Sequence, residues 1–122
     1  NLVATPWPIL YELPAMSELF VESEVEIRVA DRTAIGLDDH DLKRWVQRAF
    51  KNMSCYGISS FSRQGDKQLR ATVSLKVAVL PDNERKQLES RPDVGSMRNF
   101  VERMFVGKGT CRCVGDPQLK TN

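Results

Sequence analysis

The sequence predicts an α+β domain: a mainly antiparallel sheet with two amphipathic helices on one face, preceded by an extended proline-rich N-terminal arm. Three observations carry that prediction. Two runs alternate apolar and polar residues, two runs repeat apolar residues at helical spacing, and prolines cluster near the start. The expected organisation is an arm over 1–18, one α+β domain over 19–115 and a flexible tail over 116–122.

In the arm, Pro6, Pro8 and Pro14 each exclude a regular helix or central strand at their positions. The interleaved Trp7, Ile9, Leu10 and Tyr11 are apolar. They either lie across the domain's own core or, if the arm is exchanged, serve as a self-association arm on a neighbouring molecule.

From Phe20 to Ala30 the chain alternates, with Val21, Val25, Ile27 and Val29 on one face and Glu22, Glu24, Glu26 and Arg28 on the other, the pattern of a half-buried strand. A loop from Asp31 to Gly36 follows. Asp38 offers a carboxylate to cap a helix whose first turn carries Asp39 and Asp41, favourable against the macrodipole. Leu42, Trp45, Val46, Ala49, Phe50 and Met53 then recur on one stripe, which predicts a helix over Asp39 to Met53.

Gly57 to Ser62, a turn through Gln64-Gly65-Asp66, and Gln68 to Leu80 read as a hairpin. Its second strand turns Leu69, Ala71, Val73, Leu75, Val77 and Val79 inward and is expected to be central. Pro81-Asp82 ends it, and the polar stretch to Pro92 reads as an exposed loop or one short helix. Ser96 is placed to cap a last helix carrying Met97, Phe100, Val101, Met104 and Phe105, with Gly107 just beyond its end. Thr110 to Val114 is expected as an edge strand.

The composition fits one core: the 122 residues are 41% hydrophobic and 28% charged, and no apolar run approaches the roughly 18 residues that span a bilayer. No basic n-region and apolar h-region open the chain, so its start reads as a boundary left by processing or expression and not as a secretory signal. Cys55, Cys111 and Cys113 are too few and odd in number for a secreted disulfide framework, which favours a reducing, intracellular compartment.

The net charge of +2 conceals a division along the chain. Residues 1–41 hold nine acidic side chains against two basic ones, and the remainder sixteen basic against seven acidic. Such asymmetry marks contact with an anionic surface or head-to-tail association, unless folding interleaves the halves and cancels it.

No catalytic residue is assigned. The single histidine, His40, stands among Asp38, Asp39 and Asp41 with no partner nucleophile, and consecutive helix positions point apart, which suits neither a triad nor a metal. Cys111-x-Cys113 lacks the further ligands that a tetrahedral zinc site needs. Gly107-Lys108-Gly109-Thr110 lacks the strand and spaced glycines of a phosphate loop. The expectation is a non-enzymatic protein without cofactor or metal. Its most informative polar feature is the outer face of the first helix. There Lys43, Arg44, Arg48 and Lys51, with Gln47, form a patch suited to an anionic partner, a membrane surface or a ribonucleoprotein.

The run Phe20 to Val29, the helix with Trp45, the glycine at Gly57 and the long apolar strand Leu69 to Leu80 together resemble the first half of a rhabdovirus matrix protein. The resemblance covers about half of the chain and rests on the order of elements. It implies a virion protein of the host cytoplasm that self-associates, lies between membrane and ribonucleoprotein, and drives assembly and budding. Two departures stand beside it: Pro6-Trp7-Pro8-Ile9-Leu10-Tyr11 lacks the Pro-Pro-x-Tyr spacing of the family's budding motif, and the family's later strands would be missing or replaced by Ser96 to Val114. The leading expectation is therefore a structural or assembly protein of matrix type. The alternative is a monomeric protein-binding adaptor or effector with no membrane or nucleic-acid role.

Overall fold

The computed structural model describes residues 19–51 and 53–121; the arm and its Trp7, Ile9, Leu10 and Tyr11 lie outside the described residues. The chain is an α+β fold with a five-stranded antiparallel sheet. Strand β1 spans Leu19–Val29, followed by a one-turn helix α1 (Arg32–Ile35) and helix α2 (Asp39–Ala49). Strands β2 (Cys55–Arg63) and β3 (Gln68–Lys76) form the hairpin. Helices α3 (Asp82–Ser90) and α4 (Val94–Met104) precede strands β4 (Gly109–Cys113) and β5 (Gln118–Thr121).

The sheet order is β2-β3-β1-β4, with β5 also paired to β1. Both β4 and β5 run antiparallel to β1 on the side away from β3, β4 opposite Val25–Val29 and β5 opposite Leu19–Glu22. They act as one edge strand broken at residues 114–117. The Val114 amide keeps contact across the break by donating to the Glu24 carbonyl at 2.8 Å.

The alternation in β1 and β3 sets the two faces of the sheet. Val21, Val25, Ile27, Leu69, Ala71, Val73 and Leu75 are buried on the inner face, where they meet Leu42 and Val46 of α2 and Met97, Phe100, Val101 and Met104 of α4 in one core. The outer face is largely polar, and ion pairs join several of its charges. Glu26 bridges Arg70 and Arg112 at 3.7 and 3.1 Å, and Lys120 donates to Glu22 at 2.5 Å. The acidic first strand is thus interleaved with basic residues from the later chain, which neutralises the sequence asymmetry on this face.

Four expectations are corrected. The first helix ends at Ala49, not Met53: Phe50 turns extended and forms an isolated bridge with Phe105, so Met53 leaves the buried stripe and is 73% exposed. β3 stops at Lys76 and Val77–Val79 is a 3-10 turn, which leaves Val79 exposed. The last helix starts at Val94 because Asp93, not Ser96, is the cap, its carboxylate accepting from the Ser96 amide at 2.8 Å. The stretch expected as a tail contributes β5, because β1 extends beyond β4 and leaves backbone groups for it to pair.

Candidate functional site

The exposed side of α2 carries Lys43, Arg44, Gln47 and Arg48, opposite the buried Leu42, Val46 and Ala49. Arg48 lies in the last turn, where a cation is favourable at the negative end of the helix dipole. At the other end Arg63 of β2 donates to Asp39 at 2.6 Å and to the Leu37 carbonyl, so the acidic first turn is tied to the sheet. The charge of α2 is therefore left uncompensated mainly towards its C-terminal half.

Beyond Ala49 the chain makes a tight return. Phe50 is buried, Ser54 donates its amide to the Lys51 carbonyl at 2.8 Å, and the Ser54 carbonyl accepts from the Lys76 amide at 2.6 Å, which starts β2 beside the end of β3. An open depression forms at this corner. Arg44, Arg48 and Lys76 supply its charge, Met53 and Tyr56 its exposed apolar surface, and Phe50 and Cys55 its floor. Tyr56 is 57% exposed and packs on Phe20, ring centroids 4.7 Å apart, while the Lys76 ammonium lies 5.8 Å from the Tyr56 ring centre.

The predicted four-cation patch is thereby divided. Arg44 and Arg48 come together with Lys76 of β3. Lys51 lines a neighbouring depression with Met53, Glu84 and Arg103, the last two paired with each other at 2.6 Å. Lys43 is exposed on the same helix but lines neither depression. None of Lys43, Arg44, Arg48, Lys51 and Lys76 takes part in an ion pair among the described residues, in contrast to Arg70, Arg112 and Lys120 on the outer sheet face.

Tyr56, Lys76 and Met53 were not read as site residues from the sequence, where Met53 stood only in the helical stripe. The available signal was the hairpin register, which sets Cys55 opposite Leu75 and so brings Tyr56 and Lys76 to one end of the sheet.

The thiols are protected. Burial pushes Cys55 up to about 11 and Cys111, on the inner face of β4, up to about 12; Cys113 is also raised, chiefly by burial. These are inert side chains at neutral pH. No three His, Cys, Asp or Glu side chains converge among the described residues, and no helix there is long and apolar enough to cross a membrane. Comparison with known proteins finds no matching family model, no matching curated protein and no matching solved structure.

Proposed function

We propose that this chain is a non-enzymatic assembly protein of matrix type that docks on an anionic membrane surface through the α2 corner and self-associates there. The observation that carries the reading is the set of three cations without ion pairs among the described residues, Arg44, Arg48 and Lys76, gathered around the exposed Met53 and Tyr56. Each cation near an anionic leaflet contributes about 1 kcal/mol, and an exposed methionine and tyrosine add apolar and interfacial contact that a phosphate backbone would not reward in the same way. A membrane is for this reason favoured over a ribonucleoprotein. The cytoplasmic leaflet, where anionic lipids concentrate, lies on the reducing side that suits three free thiols.

The test is co-sedimentation with phosphatidylserine-containing vesicles against neutral vesicles, with retention on a polyanion column in parallel. Binding to the anionic vesicles is expected at low ionic strength and is expected to fade with salt. Arg44→Glu together with Arg48→Glu should abolish it while the circular dichroism spectrum is unchanged, because both side chains are exposed. Retention on the polyanion without vesicle binding would move the reading to a ribonucleoprotein. If the unmodified protein ignores both at low salt, the corner is a solvated face and the protein-binding adaptor takes its place. Light scattering that stays monomeric as concentration rises would remove the self-association.

A further inference from the structure

Residues 1–18 join the domain at Leu19, beside the same corner. Leu19 pairs with Thr121 and Phe20 with Lys76, and the Phe20 ring carries the exposed Tyr56 that walls the depression. Leu13, Met16 and Glu18 are therefore only a few residues from that wall. At about 3.3–3.6 Å per extended residue, the whole segment back to Trp7 can reach it without leaving the molecule. The chemistry of the segment is complementary: it contains Glu12 and Glu18 and no Lys or Arg, together with Trp7, Ile9, Leu10 and Tyr11. The depression offers the opposite set, Arg44, Arg48 and Lys76 around Met53 and Tyr56.

We infer that the α2 corner is the docking site of the chain's own N-terminal arm, which covers it until an anionic surface displaces the arm. The inference rests on the reading of this corner as an anion-binding surface and adds its regulation. Attachment at Leu19 keeps the arm at high effective concentration beside the depression, which favours this occupant over the arm of a second copy. Two glutamates and a handful of apolar contacts give a cover that a membrane carrying many anionic headgroups can outcompete, because the arm's carboxylates and the headgroups address the same cations.

The three native thiols are buried with raised pKa values, so a single introduced cysteine can be labelled selectively. The full chain carrying Leu10→Cys, modified with a nitroxide, should lose amide signal at Arg48, Met53, Tyr56 and Lys76. Signal should persist at Arg28, Lys67 and Gly109, which lie at the opposite end of β1. Phosphatidylserine vesicles should restore the affected signals of the corner to those of an unlabelled bound sample, and neutral vesicles should not. Glu12→Gln with Glu18→Gln should reduce the broadening and raise vesicle affinity several-fold.

Absence of broadening at the corner overturns the inference. So does broadening seen only when spin-labelled, unenriched chain is mixed with unlabelled, isotope-enriched chain, since the occupant is then a second copy. Broadening that persists on vesicle-bound protein overturns the competition. Vesicle binding by the unmodified chain is read separately, so binding without broadening removes the arm from the corner and leaves the proposed function standing.

Discussion

Phe50 and Phe105, the residues that follow α2 and α4, pair across an isolated antiparallel bridge with their rings edge to face, 5.5 Å between centroids. The Lys51 amide donates to the Met104 carbonyl at 2.6 Å and the Val106 amide to the Ala49 carbonyl at 2.7 Å. Carbonyls that both helices would leave unsatisfied at their C-termini are thereby paired with each other's exit strands. This clasp ends α2 one turn earlier than its apolar stripe suggests, and it turns Met53 out into the depression.

Phe50→Ala and Phe100→Ala should each cost about 3–5 kcal/mol, since both rings are almost wholly buried and belong to the hydrophobic core. Chemical denaturation measures the loss. A change within about 0.5 kcal/mol of the parent would contradict the packing described.

Gly107 and Gly109 should resist substitution for different reasons. A Cβ at Gly107 would stand 2.6 Å from the Ala49 Cβ and 3.1 Å from the Phe105 ring, so its small size serves the clasp. Gly109 has φ +140°, and a Cβ there would meet the Arg28 carbonyl oxygen at 1.9 Å. Alanine at either position is expected to cost about 1–3 kcal/mol, with Gly109→Ala the larger effect because backbone must move. Thermal melts of the two variants test the order.

Met53→Ser should weaken vesicle binding by about tenfold through lost apolar contact, at unchanged stability, because this side chain is exposed. Its salt dependence should match the parent's. Lys76→Gln should instead flatten the salt dependence. A Met53 variant that binds like the parent would confine the interface to the cations.

The thiols make the protein sensitive to alkali. Their folded pKa values, about 11 for Cys55 and about 12 for Cys111, exceed the ordinary 9.0, so the unfolded chain loses these protons first. The stability they contribute is complete below pH 9 and is lost as pH rises through the folded values. Denaturation midpoints should fall above pH 9, less steeply in Cys111→Ala. At pH 8 a thiol reagent should react only after denaturant is added.

Two carboxylates link stability to acid. The Arg112 hydrogen bond holds Glu26 below its ordinary 4.5, and the Ser96 amide holds Asp93 below its ordinary 3.8. The folded values are the lower ones, so the associated stability is present above these ordinary values and is lost as pH falls through the folded pKa. Glu26→Gln should flatten the decline in stability between neutral and acid pH. A decline as steep as the parent's would assign the acid sensitivity to other groups.

Local pattern determined the α+β class, the inward faces of β1, β3, α2 and α4, and the exposure of Arg44 and Arg48, because period 2 and period 3.6 fix which side chains share a face wherever the backbone stays regular. The same logic failed at the element ends. Met53 continues the α2 stripe in sequence, yet the bridge between Phe50 and Phe105 takes the backbone out of the helix, and that pairing joins residues 55 positions apart. The charge asymmetry between the two halves of the chain was visible too, but not its fate. Pairing of β1 with β3, β4 and β5 brings Arg70, Arg112 and Lys120 onto Glu22 and Glu26 and cancels it there, while the cations of α2 meet no such partner among the described residues. Lys76 and Tyr56 entered the candidate site only through strand register, a relationship between distant segments that only the tertiary structure decides.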